Sequence, residues 1–304
     1  MDLIDQSRSL FKLMLSVLIA SSFVVLSYAQ NLAHFEEKVT RFTLKNGFKF
    51  IVLERHEAPV VSFHTYADVG AVDEVKGITG MAHLFEHLAF KGSKKIGTKD
   101  YGAEREAMNK MDDVFLSIKE ERRKGEQADG RRLKELQKSL KQAQEEATSY
   151  LISDEFEEAL VRAGSTGLNA STSWDATRYT VSLPSNKVEL WMSLESDRFL
   201  NPVLREFYKE RDVVMEERRL RTENRPVGRL LEEFLGVAYK AHPYGEPIVG
   251  HMSDLETLTR SEAEMFFKKY YSPSNLTLVV VGDVDAREIR KLSEIYFGRI
   301  PGRP

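Results

Sequence analysis

The sequence has 304 residues, of which 42% are hydrophobic and 30% charged, and its formal net charge is −3. This composition is that of an ordinary globular protein with enough apolar residues for a core in one or two domains. The balanced charge, without a basic stripe of interleaved aromatic residues, argues against nucleic acid as a partner. Cysteine is absent, which excludes disulfides, thiolate metal ligands and a cysteine nucleophile.

The N-terminus has the pattern of a targeting segment. A basic flank precedes an uncharged apolar run at residues 13–26, and Ser27 and Ala29 supply small residues at its end. This order predicts a signal peptide at residues 1–29, followed by the mature domain at 30–304, and hence export to the periplasm or the extracellular space. The alternative is a retained membrane anchor, for which the run is short compared with the ~20 residues of a spanning helix.

Strand-like sequence begins at Val39. Residues 39–44 alternate apolar and polar side chains, Asn46-Gly47 predicts a type I′ hairpin turn, and residues 48–53 give the return strand. Other strand-like runs lie at residues 60–70, 166–185 and 272–285. Helical periodicity is present at residues 78–91, 188–199, 206–221, 230–241 and 286–297. Strands mixed with helices of unequal length indicate an α+β fold rather than regular βαβ winding.

Residues 100–155 differ in composition from the rest of the chain. They are rich in Glu, Lys, Arg, Gln and Ala, and Gly125 and Gly130 interrupt their middle. We predict an inserted hairpin of two antiparallel helices that turns near these glycines. A solvated helical insertion is favoured over a partner-binding arm. The apolar stripe of the second helix consists of Leu133, Leu136, Leu140, Ala143 and Ala147.

The stretch GMAHLFEHLAF, residues 80–90, contains the strongest chemical signal. His83 and His87 are four residues apart, so on a helix both imidazoles lie on one face and can bind a single Zn²⁺. Glu86 lies beside that face and is placed to accept a proton from a water molecule. H-x-x-E-H is the inverted form of the zinc-protease signature H-E-x-x-H. The alternative is a pair of core histidines bonded to the backbone.

A catalytic zinc commonly has three protein ligands, and without cysteine the third must be Asp, Glu or another His. Glu210 and Glu217 are seven residues apart and share one face of a predicted helix, whereas Glu216 points elsewhere. Periodicity alone would favour solvated carboxylates here, and only the H-x-x-E-H motif raises Glu217 to a candidate ligand. Manganese or cobalt are alternatives at such a site, with zinc as the default.

Five segments in order resemble the pitrilysin and insulin-degrading-enzyme family, and most closely its shorter bacterial members related to mitochondrial processing peptidase. They are H-x-x-E-H at 83–87, LNASTSWDATRYT, ERDVVMEE, HPYGEPIVG and YYSPSNLTLVVVGDVD. The resemblance runs from about Val39 to the end of the chain, apart from the helical hairpin. It implies the N-terminal half of a metallopeptidase of the mitochondrial-processing-peptidase-like fold, a mainly antiparallel sheet packed with helices.

The resemblance also implies roles for individual residues. His83, His87 and Glu217 would be zinc ligands, Glu86 the general base, and Glu210 a supporting residue that does not ligate. Residues 169–172 match an edge strand that a substrate backbone can extend, with Asn169 as a substrate contact or, equally, a strand-end residue. His242 and Tyr244 lie in a family motif and are expected to be structural.

Two departures from the family pattern matter. The interval between His87 and Glu217 is longer than usual by about the length of the hairpin, which is expected to project from an intact metal site. The second family half, which supplies an Arg/Tyr pair for substrate binding, has no counterpart before Pro304, so a second homologous domain or subunit is expected. The preferred function is a zinc metalloendopeptidase acting on peptides or unfolded protein segments. The alternative is a non-catalytic or half-site subunit that needs a second half.

Overall fold

The computed structural model of this protein describes residues 36–302. The chain divides into two compact units, Met1–Thr40 and Arg41–Pro304, and only the last few residues of the first are described. The predicted signal peptide, residues 1–29, lies outside the described residues. Within residues 36–302, no helix combines the length and the apolar character needed to cross a membrane.

One six-stranded sheet organises the fold. Its strands are β1 (Val39–Thr43), β2 (Lys49–Glu54), β3 (Val60–Ala67), β4 (Thr166–Thr172), β5 (Thr177–Pro184) and β6 (Leu276–Gly282). Their order across the sheet is β1-β2-β6-β3-β5-β4, which leaves β4 at an edge. β3 pairs antiparallel with both β5 and β6, and β4 pairs antiparallel with β5, whereas β2 and β6 are parallel. The predicted α+β class with a mainly antiparallel sheet is confirmed.

The turn between β1 and β2 is not the predicted type I′ turn. Gly47 has a φ of 104°, but Asn46 is not among the described non-glycine residues with positive φ. A type I′ turn requires positive φ at both central residues. The Gly47 N–H donates to the carbonyl of Leu44 at 2.9 Å, which gives a three-residue loop instead. The Asn46 amide donates to the carbonyls of Phe297 and Ile300, at 2.8 Å each, so a tertiary contact fixes its conformation.

The helices alternate irregularly with the strands. In the described part of the chain they are α1 (Met81–Leu88), α2 (Tyr101–Arg123), α3 (Gly130–Ser149), α4 (Glu155–Arg162), α5 (Val188–Leu200), α6 (Phe207–Arg218), α7 (Pro226–Ala238), α8 (Met252–Leu255), α9 (Arg260–Tyr270) and α10 (Ala286–Tyr296). A short π-helix, Arg219–Glu223, continues α6. Sequence periodicity did not predict α4, α8 or α9.

Helices α2 and α3 correspond to the predicted hairpin. Asp129 begins α3 by accepting hydrogen bonds from the N–H groups of Arg131 and Arg132, which satisfies two of the free donors at a helix N-terminus. On α3 only Ala143 is buried, and the rest of the predicted stripe is half-buried, while all other residues of the helix except Gln144 are exposed. Apolar spacing therefore identified the packed face of this helix correctly.

Helix α1 lies between the edge strand β4 and helix α6. Its apolar residues Met81, Ala82, Leu84 and Leu88 are buried. Phe85 packs against Tyr271, with ring centroids 4.3 Å apart. Burying leucine, methionine and phenylalanine side chains stabilises the folded state by about 1.5–3 kcal/mol each, which favours one orientation of the helix. The polar residues of α1 are therefore presented towards β4 and α6.

Candidate metal centre and active site

Gly80 determines the residue at which α1 begins. Gly80 precedes the helix with a φ of 85°, and a Cβ atom there would lie 2.6 Å from the carbonyl oxygen of Val249. A non-glycine residue would be strained and would clash, so the helix begins after Gly80 rather than at the predicted residue 78. The carboxylate of Glu74 accepts hydrogen bonds from the N–H groups of Gly80, at 2.8 Å, and Ala82, at 2.7 Å. Both contacts anchor the N-terminus of the helix.

Three side chains converge between α1 and α6. His83 Nε2 lies 3.5 Å from Glu217 Oε1, and His87 Nε2 lies 3.6 Å from Glu217 Oε2. Ligand atoms of the three residues all lie within 4.8 Å of one another, and no other group of this kind is found in residues 36–302. A tetrahedral zinc ion with ligands at about 2.0–2.1 Å would separate those ligands by about 3.3 Å. The spacing and the two-imidazole, one-carboxylate donor set therefore fit a zinc ion.

The two histidines differ in their surroundings. Burial lowers the pKa of His83 to about 4, so its imidazole is neutral at ordinary pH, as a metal ligand must be. The hydrogen bond to Glu210 raises the pKa of His87 above its usual value. The Nδ1 atom of His83 is buried and has no hydrogen-bond partner among the described residues, whereas Nδ1 of His87 lies 3.3 Å from Glu210 Oε2.

Glu210 is linked to a second charge cluster behind the histidine. Lys91 Nζ lies 2.7 Å from Glu210 Oε1 and 3.1 Å from Glu206 Oε2. Burial would raise the pKa of Glu210, but hydrogen bonds from His87 and Lys91 lower it to about 2. The carboxylate is therefore ionised and can hold the imidazole in one orientation and tautomer. This contact suits the supporting role implied by the resemblance, and the role stays a prediction.

Glu86 stands beside the three converging side chains without joining them. Its Oε2 accepts a hydrogen bond from Thr172 Oγ1, at 2.6 Å, across the gap to the end of β4. Burial raises the pKa of the Glu86 carboxyl, while the Thr172 hydroxyl opposes that shift. A carboxylate with a raised pKa is a better proton acceptor, which is the property a general base needs.

A cavity of about 320 Å³ opens next to Glu86 and His87. Asn169 and Ala170 on β4 form part of its wall, together with Asp154 and Glu157 at the beginning of α4. Asn169 is paired with Thr180 of β5, and the other side of β4 has no strand partner in the described part of the chain. Asn169 is thus near enough to contact a substrate held in the cavity, which remains the prediction made for it.

The remaining motif residues contact other protein groups. The Tyr244 hydroxyl donates to Asp175 at 2.7 Å, and its backbone N–H donates to His242 Nδ1 at 3.2 Å. These bonds suit the structural role expected for both residues. Glu216 is exposed and pairs with Arg219 at 3.0 Å, away from the histidines.

Several site residues had not been singled out from the sequence. Lys91 follows His87 by four residues, a spacing that was available as a signal. Arg221 similarly follows Glu217 by four residues, and its Nη1 lies 2.5 Å from Glu217 Oε1. Thr172 lies 86 residues from Glu86, and no local pattern connects them.

Fold and site together define a metallopeptidase class built around an H-x-x-E-H helix. The family model described as Insulinase (Peptidase family M16) matches residues 49–121 and 135–252, and the model described as Peptidase M16 inactive domain matches residues 257–304. The chain belongs to peptidase family M16. The resemblance read from the sequence motifs is thereby confirmed.

Relatives in this family are longer than the chain. It is 29% identical over 258 residues to the zinc protease PqqE of Helicobacter pylori, covering 84% of this chain and 46% of that protein. It is 24% identical over 270 residues to a probable mitochondrial-processing peptidase subunit beta of Schizosaccharomyces pombe, covering 86% and 46%. The chain thus spans about half the length of these relatives.

Solved structures share the fold. A protease from Helicobacter pylori superposes with a TM-score of 0.66 at 27% identity, over 88% of this chain and 51% of that one. The first half of the periplasmic protease PqqL from Escherichia coli gives a TM-score of 0.60 at 21% identity, over 88% of this chain and 47% of that one. The second likeness concerns the fold alone.

Proposed function

We propose that this chain is the metal-binding part of a zinc-dependent endopeptidase that hydrolyses peptides or unfolded protein segments. The observation that carries the proposal is the convergence of His83, His87 and Glu217, with Glu86 beside them but outside the ligand set. A site that only stored a metal would have no chemical need for an additional carboxylate at that position. Relatives named as zinc proteases support the same reading.

Glu86 performs the proton transfers of the proposed reaction. Bound zinc would lower the pKa of a water molecule towards 7 and polarise the scissile carbonyl. Glu86 accepts one proton as the water oxygen adds to the carbonyl carbon, and it returns that proton to the amide nitrogen as the C–N bond breaks. The Thr172 hydroxyl, 2.6 Å from the carboxylate, keeps Glu86 pointed into the site.

The edge strand β4 supplies the proposed substrate-binding surface. Its outer edge has no strand partner in residues 36–302, and its last residue, Thr172, touches the general base. An extended substrate can add to such an edge through backbone hydrogen bonds, with alternate side chains pointing into the cavity near Asn169. Recognition by backbone predicts a broad rather than a strict side-chain preference.

A second homologous half is the proposed protein partner. Relatives about twice as long as this chain, and a neighbour that is itself described as a first half, support this assignment. Export to the periplasm or beyond is proposed from the N-terminal pattern and from the periplasmic location printed for PqqL of Escherichia coli. Membrane anchoring by residues 13–26 is the alternative.

The test combines metal content with turnover. Purified full-length chain, its Glu86→Gln variant and a Glu216→Gln control are assayed for bound zinc and for cleavage of a quenched-fluorescent peptide mixture. Each protein is assayed alone and with a homologous second half added. We expect stoichiometric zinc in all three and, with the second half present, turnover by all but Glu86→Gln. Turnover without the second half would indicate a self-sufficient peptidase, whereas zinc without turnover under either condition would refute the proposed activity. Absence of zinc binding would refute the metal centre.

A further inference from the structure

A second cavity, of about 490 Å³, lies between the helical hairpin and α6. Met108 and Met111 of α2 and Tyr208 of α6 supply apolar surface to its wall, together with Leu151 just after α3. The first three of these residues are themselves buried, so the cavity reaches into the protein interior rather than lying on an exposed helix face. Its volume falls within the range of about 300–1,000 Å³ that is typical of small-molecule sites.

This cavity is separate from the candidate active site. Lys209 and Asp212 of α6 line it, whereas Glu210, which lies between them in the sequence, contacts His87. Successive residues on a helix are rotated by about 100° around its axis. The two sites therefore use different sides of α6, and neither Glu86 nor any of the three candidate zinc ligands contributes to the cavity wall.

Negative charge exceeds positive charge in the cavity wall. Four carboxylates and two cations line it, so their formal net charge is −2. Both cations are already paired within the wall. Arg205 Nε lies 2.7 Å from Glu104 Oε1, and Lys209 Nζ lies 2.6 Å from Glu206 Oε1. Among the described residues, the wall therefore has no cation for the other two carboxylates, one of which belongs to Asp212.

Asp212 places an open hydrogen-bond acceptor at the mouth of the cavity. Its side chain is 61% exposed, and it follows Tyr208 by one helical turn, so its carboxylate stands beside the apolar wall. The Arg211 guanidinium donates to Asp212 Oδ1 from both Nε, at 3.3 Å, and Nη2, at 3.0 Å. Oδ2 has no such partner in the part of the chain that the structure describes, so it can accept a hydrogen bond from a ligand.

We propose that this cavity binds a small organic cation, whose apolar body lies between the two methionines and Tyr208 while its ammonium group donates to Asp212. Thioether side chains are flexible and polarisable, so the wall can adapt to aliphatic and aromatic bodies of different outline. A hydrogen bond between an ammonium and a carboxylate is stronger than one between neutral groups, which favours the cation over an alcohol of the same shape. The ligand is neither the zinc ion nor the peptide of the proposed reaction, so this inference is independent of that function.

The second homologous half is the competing occupant. A protein surface laid across the mouth would leave the interior unfilled unless a side chain entered it, and an empty cavity forfeits packing contacts. Such a surface would also bury the Asp212 carboxylate, which costs free energy unless the partner supplies a cation. A small organic cation fills the interior and, at the same time, satisfies Asp212 at the mouth.

Three probes with the same alkyl chain test the proposal, namely octylamine, the neutral octanol and the anionic octanoate. Each is titrated into the full-length chain, and binding is measured by ligand-observed NMR. We expect the amine to bind about fivefold more tightly than the alcohol, and the acid to bind most weakly. Asp212→Asn should bring the affinity for the amine within about twofold of that for the alcohol, and it should leave the affinity for the alcohol unchanged.

Two further variants locate the bound probes. Ala147→Trp, on α3, places a large side chain in the cavity and should abolish binding of all three probes. Asp113→Asn removes an exposed carboxylate of α2 that does not line the cavity, and it should leave every affinity unchanged. Circular dichroism checks that each variant is folded.

Other outcomes would overturn the proposal. Equal affinity for amine and alcohol, or an affinity for the amine that Asp212→Asn does not lower, would refute the recognition of a cation. Binding that survives Ala147→Trp would place the probes elsewhere on the protein, and failure of all three probes to bind would refute the site. If an added second half displaced octylamine, and Ala147→Trp weakened the association of that half, the cavity would belong to the interface between the halves.

Discussion

Substitution of Glu210 tests whether its contact with His87 supports zinc binding at the candidate metal centre. The substitution Glu210→Gln keeps the size of the side chain but removes its negative charge. The His87 Nδ1 atom, 3.3 Å from the carboxylate, then loses its anionic partner, and Lys91 loses the nearer of its two carboxylates, at 2.7 Å. Neither His83 nor Glu217 is changed directly. We expect zinc to bind more weakly while the fold is retained.

The size of the effect follows from these two contacts. Removing a carboxylate that orients a metal-bound histidine typically weakens metal binding by about 10- to 100-fold. The 3.3 Å separation is longer than a strong hydrogen bond, which favours the lower end of that range. The partly uncovered charge of Lys91 opposes the approach of a cation, which favours the upper end. We expect a loss of about 30-fold, or about 2 kcal/mol.

Competition with a zinc-responsive chelator measures this loss directly at neutral pH. Glu216→Gln on the same helix is the matched control, because Glu216 is exposed and pairs only with Arg219 among the described residues. The control should bind zinc as the parent does. If Glu210→Gln stayed within about twofold of the parent, or if the control weakened equally, the argument from the His87 contact would be refuted.

Three further predictions concern the pH, the neighbouring residue Arg221, and Gly80 at the start of α1. Because the pKa of His87 is raised and a protonated imidazole cannot ligate, zinc affinity measured by chelator competition should fall about tenfold per pH unit once the pH drops below that pKa. Arg221→Gln removes a guanidinium that competes for Glu217, so zinc affinity should rise about two- to tenfold, and added salt should diminish the difference. Gly80→Ala introduces a clash with Val249 at positive φ, so urea denaturation should show a stability loss of about 1–3 kcal/mol.

The local geometry of the site was accessible from sequence because helical spacing fixes it. Residues four apart on a helix share a face, which is enough to bring His83 and His87 together once the segment is known to be helical. Glu210 and Glu217 are seven residues apart, about two helical turns, which likewise puts both on one face of α6. Spacing alone could not assign them different contacts. That assignment came from the resemblance, and the structure brings Glu217 to both histidines and Glu210 to Nδ1 of His87.

Contacts between residues far apart in the sequence could not be predicted from local sequence patterns. The hydroxyl of Thr172 reaches Glu86 because β4 lies beside α1, and that neighbourhood depends on the order of the strands. The failed type I′ prediction has the same origin, since Asn46 bonds to the carbonyls of Phe297 and Ile300 near the end of the chain. Turn propensity competes here with two tertiary hydrogen bonds, and the tertiary bonds determine the conformation.

The first half of α2, which we call the base of the hairpin, contacts the segments around the candidate metal centre. Arg205 is fully buried, and its guanidinium donates to Glu104 of α2, at 2.7 Å, and to the carbonyls of Lys91 and Ser93 after α1. Tyr208 of α6 donates to Asp112 of α2 at 2.9 Å. The base of α2 therefore ties the end of α1 to the beginning of α6, the two helices that carry the candidate ligands.

Within residues 36–302, the tip of the hairpin has no such contacts with the site. Its turn, Gly125–Gln127, contains no buried residue, and the M16 family model leaves out residues 122–134 around it. Polar contacts at the tip are local, as in the 2.7 Å pair between Lys124 and Glu121. The buried Arg205–Glu104 ion pair at the base thus connects the two helices that carry the candidate ligands. We therefore expect changes in the length or charge of the tip to leave the distances between His83, His87 and Glu217 unaltered.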